Sequence, residues 1–182
     1  MPIFTATDVD NTPLDMLLKP FSSIGHDWML ITAGHGIARS EWNTMTASWG
    51  SFGVFWNRRT VTCVIRPTRH TFEFVEREPF VVFSFFDPSM KKSLQICGST
   101  SGANTDKAFA AGLAPVLLEK DAVGFAEARL NLVCRKIYYQ DVKPEFFLDH
   151  NLESNYPDKD YHRMYICEIL RVYQNANGRM DE

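Results

Sequence analysis

No run of apolar residues in this sequence approaches the roughly 20 that a helix needs to span a bilayer, so no transmembrane helix is expected. The opening stretch MPIFTATDVDNT lacks a basic region followed by an apolar one, the pattern of a secretory leader, and the expected location is cytoplasmic. Net charge is small, −3, which gives no general attraction to nucleic acid or to an anionic membrane surface. The four cysteines, Cys63, Cys97, Cys134 and Cys167, include no CxxC pair. That disfavours a dithiol redox centre, a zinc ribbon and an iron–sulfur framework. Neither GxGxxG nor GxxxxGK[ST] occurs, which removes support for Rossmann and Walker sites. GxSxG is also missing, and no Ser–His–Asp or Cys–His order suggests a hydrolase. His26, His35 and His150 have no ligand-like spacing, so no metal site is expected.

What is present is enough for one domain over residues 1–182. Hydrophobic residues make up 45 % and charged residues 23 % of the chain, an ordinary globular balance. The 14 phenylalanines point to a thick aromatic core, an aromatic ligand site or a large subunit interface, and composition does not choose among these. Val, Ile, Phe, Tyr and Thr dominate five candidate strands, Trp28–His35, Thr60–Arg66, Phe80–Phe86, Gly124–Tyr139 and His162–Gln174. In the last, Met164, Ile166, Glu168, Leu170 and Val172 share one face, and Tyr165, Cys167, Ile169 and Arg171 the other. Both faces are largely apolar, so the strand is expected to be covered on both sides. Short helices are expected over Thr71–Arg77, from Asp87-Pro88 to Ile96 with Gly98 as the stop, over DKAFAA behind a Thr105 cap, and around PEFFLDH. Long alternating strands separated by short helices favour a closed or nearly closed antiparallel barrel.

Three segments carry candidate chemistry. NTMTASWGSFGVFWNRR, Asn43 to Arg59, reads as neither a core strand nor an ordinary loop, because it mixes small hydroxylated residues with tryptophans. It suits the wall of a pocket for a flat ligand with polar edges. RPTRHTFEF gathers Arg66, Arg69 and His70 with the hydroxyls of Thr68 and Thr71 just where a helix would begin. This is either an anion site or a solvated turn whose arginines meet Glu73 and Glu76. GSTSGANTDK offers exposed backbone, Ser101 and a flexible point charge at Lys107, and read alone it is also consistent with a mobile loop. Three of the cysteines lie in apolar or alternating runs and read as buried hydrophobes.

With NTMTASWGSFGVFWNR, VIRPTRHTFEF, FVVFSFF, CGSTSGANTDK and DYHRMYICEI in this order, the sequence resembles the flavin reductase-like FMN-binding split-barrel family, in particular its flavoredoxin-like members, from about Phe21 to Tyr173. The resemblance implies a mainly β fold, a six-stranded antiparallel split barrel with short peripheral helices, assembled as a homodimer with FMN at or near the interface. It implies that Thr44, Met45, Thr46, Ala47 and Ser48 line the flavin ring, that hydroxyl and backbone groups from Asn43 to Ser48 meet its polar edge, and that Trp49 or Trp56 covers an apolar part. Arg66, Thr68, Arg69 and Thr71 would receive the phosphate and ribityl end, with Ser101 and Lys107 closing nearby. Many relatives have an SGRD-like sequence where this chain has SGANTD, so Ala103 replaces an arginine and more of the charge falls to Arg69 and Lys107. The resemblance also places His162, the one candidate catalytic side chain, near the flavin or an approaching nicotinamide. It need not act as a base, because hydride transfer depends on stacking and distance.

The implied function is NAD(P)H-dependent reduction of FMN, with either NADH or NADPH as donor and electrons passing to free flavin, a redox protein or a small molecule. An FMN-bearing electron carrier without efficient nicotinamide turnover is the alternative, and a flavin-binding protein without catalysis a third.

Overall fold

The computed structural model describes residues 4–175. Its strands are β1 (Phe4–Asp8), β2 (Met29–Gly34), β3 (Trp42–Ala47), β4 (Gly50–Phe55) and β5 (Arg58–Ile65), then β6 (Phe80–Phe85), β7 (Pro115–Leu117), β8 (Val123–Phe125), β9 (Leu130–Asp141) and β10 (Arg163–Asn175). Seven of them form one antiparallel sheet in the order β3-β2-β6-β9-β10-β5-β4, β1 adds to it through β10, and β7 and β8 form a separate ribbon.

The long strand β10 organises the sheet. One edge pairs with β9 along most of its length. The other pairs with β5 over Arg163–Glu168 and with β1 over Arg171–Asn175. A register shift between Ile169 and Arg171 inserts Leu170 as an extra residue, and such a bulge reverses which side chains face inward. Tyr165, Cys167, Ile169 and Val172 therefore all join the main core, whereas strict alternation had put Val172 on the opposite face. Arg171 turns outward to pair with Asp8 and Glu119.

The sheet departs from the expected six-stranded barrel. Eight strands share it, because β10 outruns β5 and recruits β1, and among the described residues no ladder joins its end strands β3 and β4. These two ends are consecutive in sequence, linked only by Ser48 and Trp49. Gly124–Tyr139 is likewise two strands. The Asn131 side chain accepts from Phe125 N (3.3 Å) and donates to Phe125 O (3.2 Å), tying down the turn that separates β8 from β9.

The inside of the curved sheet holds Met29, Ile31, Val61, Ile65, Phe83 and Leu132 among others. A second core, with Leu30, Trp42, Leu94, Cys97 and Phe125, lies under helices α3 (Lys91–Ser99) and α4 (Lys107–Ala111). All four cysteines are free and buried. Helix α1 spans Leu14–Leu17 and α2 spans His70–Arg77, and short 3-10 turns occupy Pro144–Phe146 and His150–Asn155. Asp87 caps the turn before α3 by accepting from Ser89 N, with Pro88 behind it, as expected. Asp106 rather than Thr105 caps α4, accepting from Phe109 N at 3.0 Å, and Gly112 ends it at φ 66°. Gly98 does not stop α3, which runs on to Ser99. A Cβ at Gly98 would stand 3.1 Å from Thr46 Cβ, so this glycine lets the helix lie close against β3. No helix among the described residues is long and apolar enough to cross a membrane.

Candidate functional site

The Asn43–Arg59 segment is a buried strand followed by an exposed hairpin. Five of the six residues of β3 are buried beneath β2, α2 and α3, and their hydroxyls have protein partners. Thr44 Oγ1 lies 2.9 Å from Thr32 Oγ1 and donates to Ile31 O at 3.2 Å. Asn43 Nδ2 donates to Thr71 Oγ1 at 2.9 Å, while a Cβ on Gly102 would fall 2.0 Å from Asn43 Oδ1. Asn43 thus clamps the α2 entry to the loop before α4. Its side chain and that of Thr44 line none of the three cavities described next.

Where β3 ends and the chain crosses to β4, three adjoining cavities of about 240, 180 and 280 Å³ open around Thr46, which lines all of them. Met45, Ala47, Ser48 and Trp49 wall the first, facing Val64, Arg66, Arg69 and His162. Thr68, Arg69, His70 and Thr71 wall one side of the second, and Cys97 to Ser101 with Lys107 the other. Trp28, Leu94 and Gln95 complete the third. Sequence reading missed Trp28, Leu94 and Gln95, because their only signal is which face of α3 and which end of β2 meets β3, whereas Ser99 and Thr100 belong to the GSTSGANTDK segment it singled out.

The second cavity is polar and cationic. Lys107 is buried, 7 % exposed, rather than a flexible point charge. Its Nζ donates to Thr44 O at 2.8 Å and Cys97 O at 2.9 Å. No carboxylate among the described residues pairs with it, and burial pulls its pKa down to about 8, with the neighbouring Arg69 adding to the shift. Arg69 is exposed and has no ion pair among the described residues. The eight-residue α2 begins beside the same cavity, with His70 and Thr71 in its lining and no side-chain cap on its first turn. An ammonium held in low dielectric without a counter-charge is costly unless an anion joins it.

Arg66 and Thr68 are engaged elsewhere. Arg66 pairs with Asp160, donates to Asn155 O at 2.7 Å and lies over the Tyr156 ring at 5.1 Å; Thr68 Oγ1 donates to Asp160 Oδ2 at 3.2 Å. Both hold the 150–160 segment against the first cavity. Behind that segment His162 is buried, its Nδ1 2.9 Å from Tyr156 Oη and its ring 5.3 Å from the Trp49 ring. Burial first, then the Arg66 charge, lower its pKa to about 4, with Asp160 opposing. The ring is therefore neutral at physiological pH. Because its folded pKa lies below the ordinary 6.5, the unfolded chain takes up a proton first. Folding stability should thus fall as pH drops from about 6.5 to about 4, and denaturant titrations of His162→Gln should show a shallower acid-side loss than the parent.

Neither a family model nor a curated protein sequence matches the chain. Solved structures match throughout. An FMN-binding domain of a flavin reductase-like enzyme from Shewanella baltica superposes with a TM-score of 0.64 at 18 % identity, covering 96 % of this chain and 78 % of that one. The flavoredoxin of Desulfovibrio vulgaris gives 0.64 at 19 % identity over 85 % and 72 %. An FMN-binding protein from Thermus thermophilus with bound p-hydroxybenzaldehyde gives 0.62 at 17 % over 88 % and 82 %. The resemblance carried by the sequence motifs is thus matched by the architecture: the chain has a multi-stranded antiparallel sheet with short helices that resembles the fold of the flavin reductase-like and flavoredoxin structures.

Proposed function

We propose that the protein is an FMN-binding oxidoreductase that takes electrons from NADH or NADPH and passes them to a second acceptor, and that it works as a homodimer. The observation that carries this reading is the buried, carboxylate-free Lys107 facing a hydroxyl-lined cavity that adjoins the Met45–Trp49 wall. The donor set fits a monophosphate at one end and a flat ring with polar edges at the other. FMN, when bound, supplies the two-electron chemistry.

The side chains have separable tasks. Lys107 and Arg69 neutralise the phosphate, and the Ser99, Thr100 and Ser101 loop and the α2 entry add donors. Backbone and hydroxyl groups from Met45 to Ser48 orient the ring edge, and Trp49 covers an apolar part. Arg66 and Thr68 act at one remove, fixing Asp160 and the segment that backs His162. His162, neutral at working pH, offers a hydrogen bond rather than a proton abstraction. Exposed Val54, Phe55 and Trp56 on the β4–β5 hairpin, next to Trp49 in sequence and to Tyr138 in space, suit a shared interface beside the site.

Purification without added flavin, followed by anaerobic addition of NADH and of NADPH, tests the reading. Bleaching of a bound flavin spectrum by either supports it. A flavin that dithionite bleaches and neither nicotinamide does would mark an electron carrier instead, and a colourless protein that fails to take up FMN would sink both.

A pH dependence follows from Lys107. With its pKa near 8 in the ligand-free protein, binding a phosphate above that pH requires proton uptake. FMN affinity should be level from about pH 7 to 8 and weaken by up to about tenfold per unit beyond it. Calorimetry in buffers of different ionisation heat would detect the proton, and riboflavin should show neither effect.

Cysteine chemistry is not expected to contribute. Burial raises the Cys134 and Cys97 pKa values, and a hydrogen bond with Cys167 together with burial raises that of Cys63, so thiolate is scarce. Single Cys→Ser variants matched for folding and FMN occupancy should reduce flavin within about twofold of the parent. Loss of flavin reduction in any one would assign a thiol to the chemistry.

A further inference from the structure

We infer that Tyr156 is a positioning residue that fixes the His162 ring as a hydrogen-bond donor toward the first cavity. The inference rests on the proposed function only for what the donor serves; the orientation itself is a property of the protein alone.

Tyr156 stands just past the 3-10 turn His150–Asn155, outside every motif the sequence singled out. It is 8 % exposed and its ring is held from several sides. Phe147 stacks on it at 6.0 Å and 20°, Tyr161 lies at 4.9 Å, and the Arg66 guanidinium sits over it at 5.1 Å. The hydroxyl is thereby aimed at His162 Nδ1, 2.9 Å away, and this is its one hydrogen bond among the described residues.

Two proton arrangements satisfy that distance. If Nδ1 carries the proton and donates to Oη, the phenol proton has no acceptor among the described residues. If the phenol donates to Nδ1, the phenol proton is used, and the neutral imidazole must carry its own proton on Nε2. The second arrangement gives the phenol inside the aromatic cluster its acceptor and leaves the remaining proton on the nitrogen that has access to the first cavity, and it is the one favoured.

Nε2 makes no hydrogen bond to the described residues, yet no fully buried polar side-chain atom among them lacks a partner. Nε2 is therefore accessible, and the residue lines the first cavity. Most of the groups around the ring act against a second proton. Arg66 and Arg69 disfavour a second proton, Asp160 favours one but is itself paired with Arg66, and Trp49 contributes an uncharged face. The result is a neutral N–H donor next to a cation-lined pocket. Such a donor recognises a carbonyl or a ring nitrogen bearing a lone pair, without adding charge to the site.

The test uses the full chain without flavin, labelled with ¹⁵N-histidine, and His162→Ala assigns the ring signals. In the parent, Nε2 should show the shift of a protonated nitrogen and Nδ1 that of a hydrogen-bonded acceptor, unchanged from about pH 5.5 to 8. In Tyr156→Phe, which keeps the ring stacking, the two shifts should move toward each other as both tautomers become populated. At equal FMN loading, Tyr156→Phe should slow NAD(P)H-dependent reduction several-fold in the parent and have no further effect in His162→Ala. A protonated Nδ1 in the parent, shifts that ignore the Tyr156 substitution, or an equal rate loss in the His162→Ala background would each overturn the inference. The nitrogen shifts are read before any flavin is added, so a failure to bind FMN would count against the proposed function and leave the orientation standing.

Discussion

Lys107→Met is expected to weaken FMN binding by about 10- to 100-fold while changing riboflavin binding by less than about threefold. A charge-assisted hydrogen bond contributes roughly 1.5–3 kcal/mol, and at Lys107 the group is buried and lacks a competing carboxylate, so screening by water is weak. Methionine keeps the length and the packing of the stem. It leaves Thr44 O and Cys97 O without their donor, which costs stability, but it also removes the burden of a desolvated ammonium. The two terms oppose each other, so the fold should survive and the contrast between ligands remains readable. Arg69→Ala should act in the same sense and more weakly, because its exposed guanidinium is solvated before binding. Fluorescence titration of apoprotein with both ligands decides the matter. Equal losses for FMN and riboflavin would move the phosphate away from Lys107.

Trp56→Asn should make the isolated chain more stable and the proposed dimer weaker. The β4–β5 hairpin turns through Trp56 and Asn57 at φ 50° and 56°. A two-residue hairpin turn with both central residues in that region favours Asn and Gly, and a bulky ring there is strained by about 1–2 kcal/mol. The residue is nevertheless 61 % exposed, and the aromatic rings that contact it among the described residues are Phe55 at 5.7 Å and Tyr138 at 5.9 Å. A costly conformation that exposes a tryptophan makes sense if a second copy covers it. Asparagine would relieve the turn and remove the anchor, and loss of one central aromatic commonly costs an interface 2 kcal/mol or more, or about 30-fold in dissociation constant. Sedimentation measured beside thermal unfolding at low concentration separates the two effects. An unchanged association state would remove this hairpin from any interface.

Much of this was legible in the sequence for a simple reason. Strands rich in β-branched and aromatic residues declare themselves, and β2, β5, β6 and β10 fall within two residues of their expected bounds. β3 escaped because its Asn and Thr side chains look like ligand contacts. Only the fold reveals that Thr32, Thr71 and main-chain carbonyls take them up. The bulge at Leu170 escaped because an inserted residue leaves no mark in an alternating pattern. At the site, the motifs brought Arg66, Arg69, Lys107 and His162 into view, but the sequence is silent on counter-charges. Asp160, ninety-four residues from Arg66, decides that this arginine braces a loop while Arg69 stays free of carboxylates. Lys107 likewise changes character through burial, which a loop-like composition hides.

The central strand β10 also governs when the molecule can come together. It is flanked by β9 on one side and by β5 and β1 on the other, so the N-terminal strand finds its partner only in residues 171–175. On the ribosome, everything before residue 163 emerges with the edges of β5 and β9 unsatisfied, and pairings of such sequence separation form slowly. During that interval the β9 edge and the β5 edge are exposed templates for other nascent chains. Expression yield should accordingly respond to translation speed and chaperone supply more than to small changes in the stability of the finished fold.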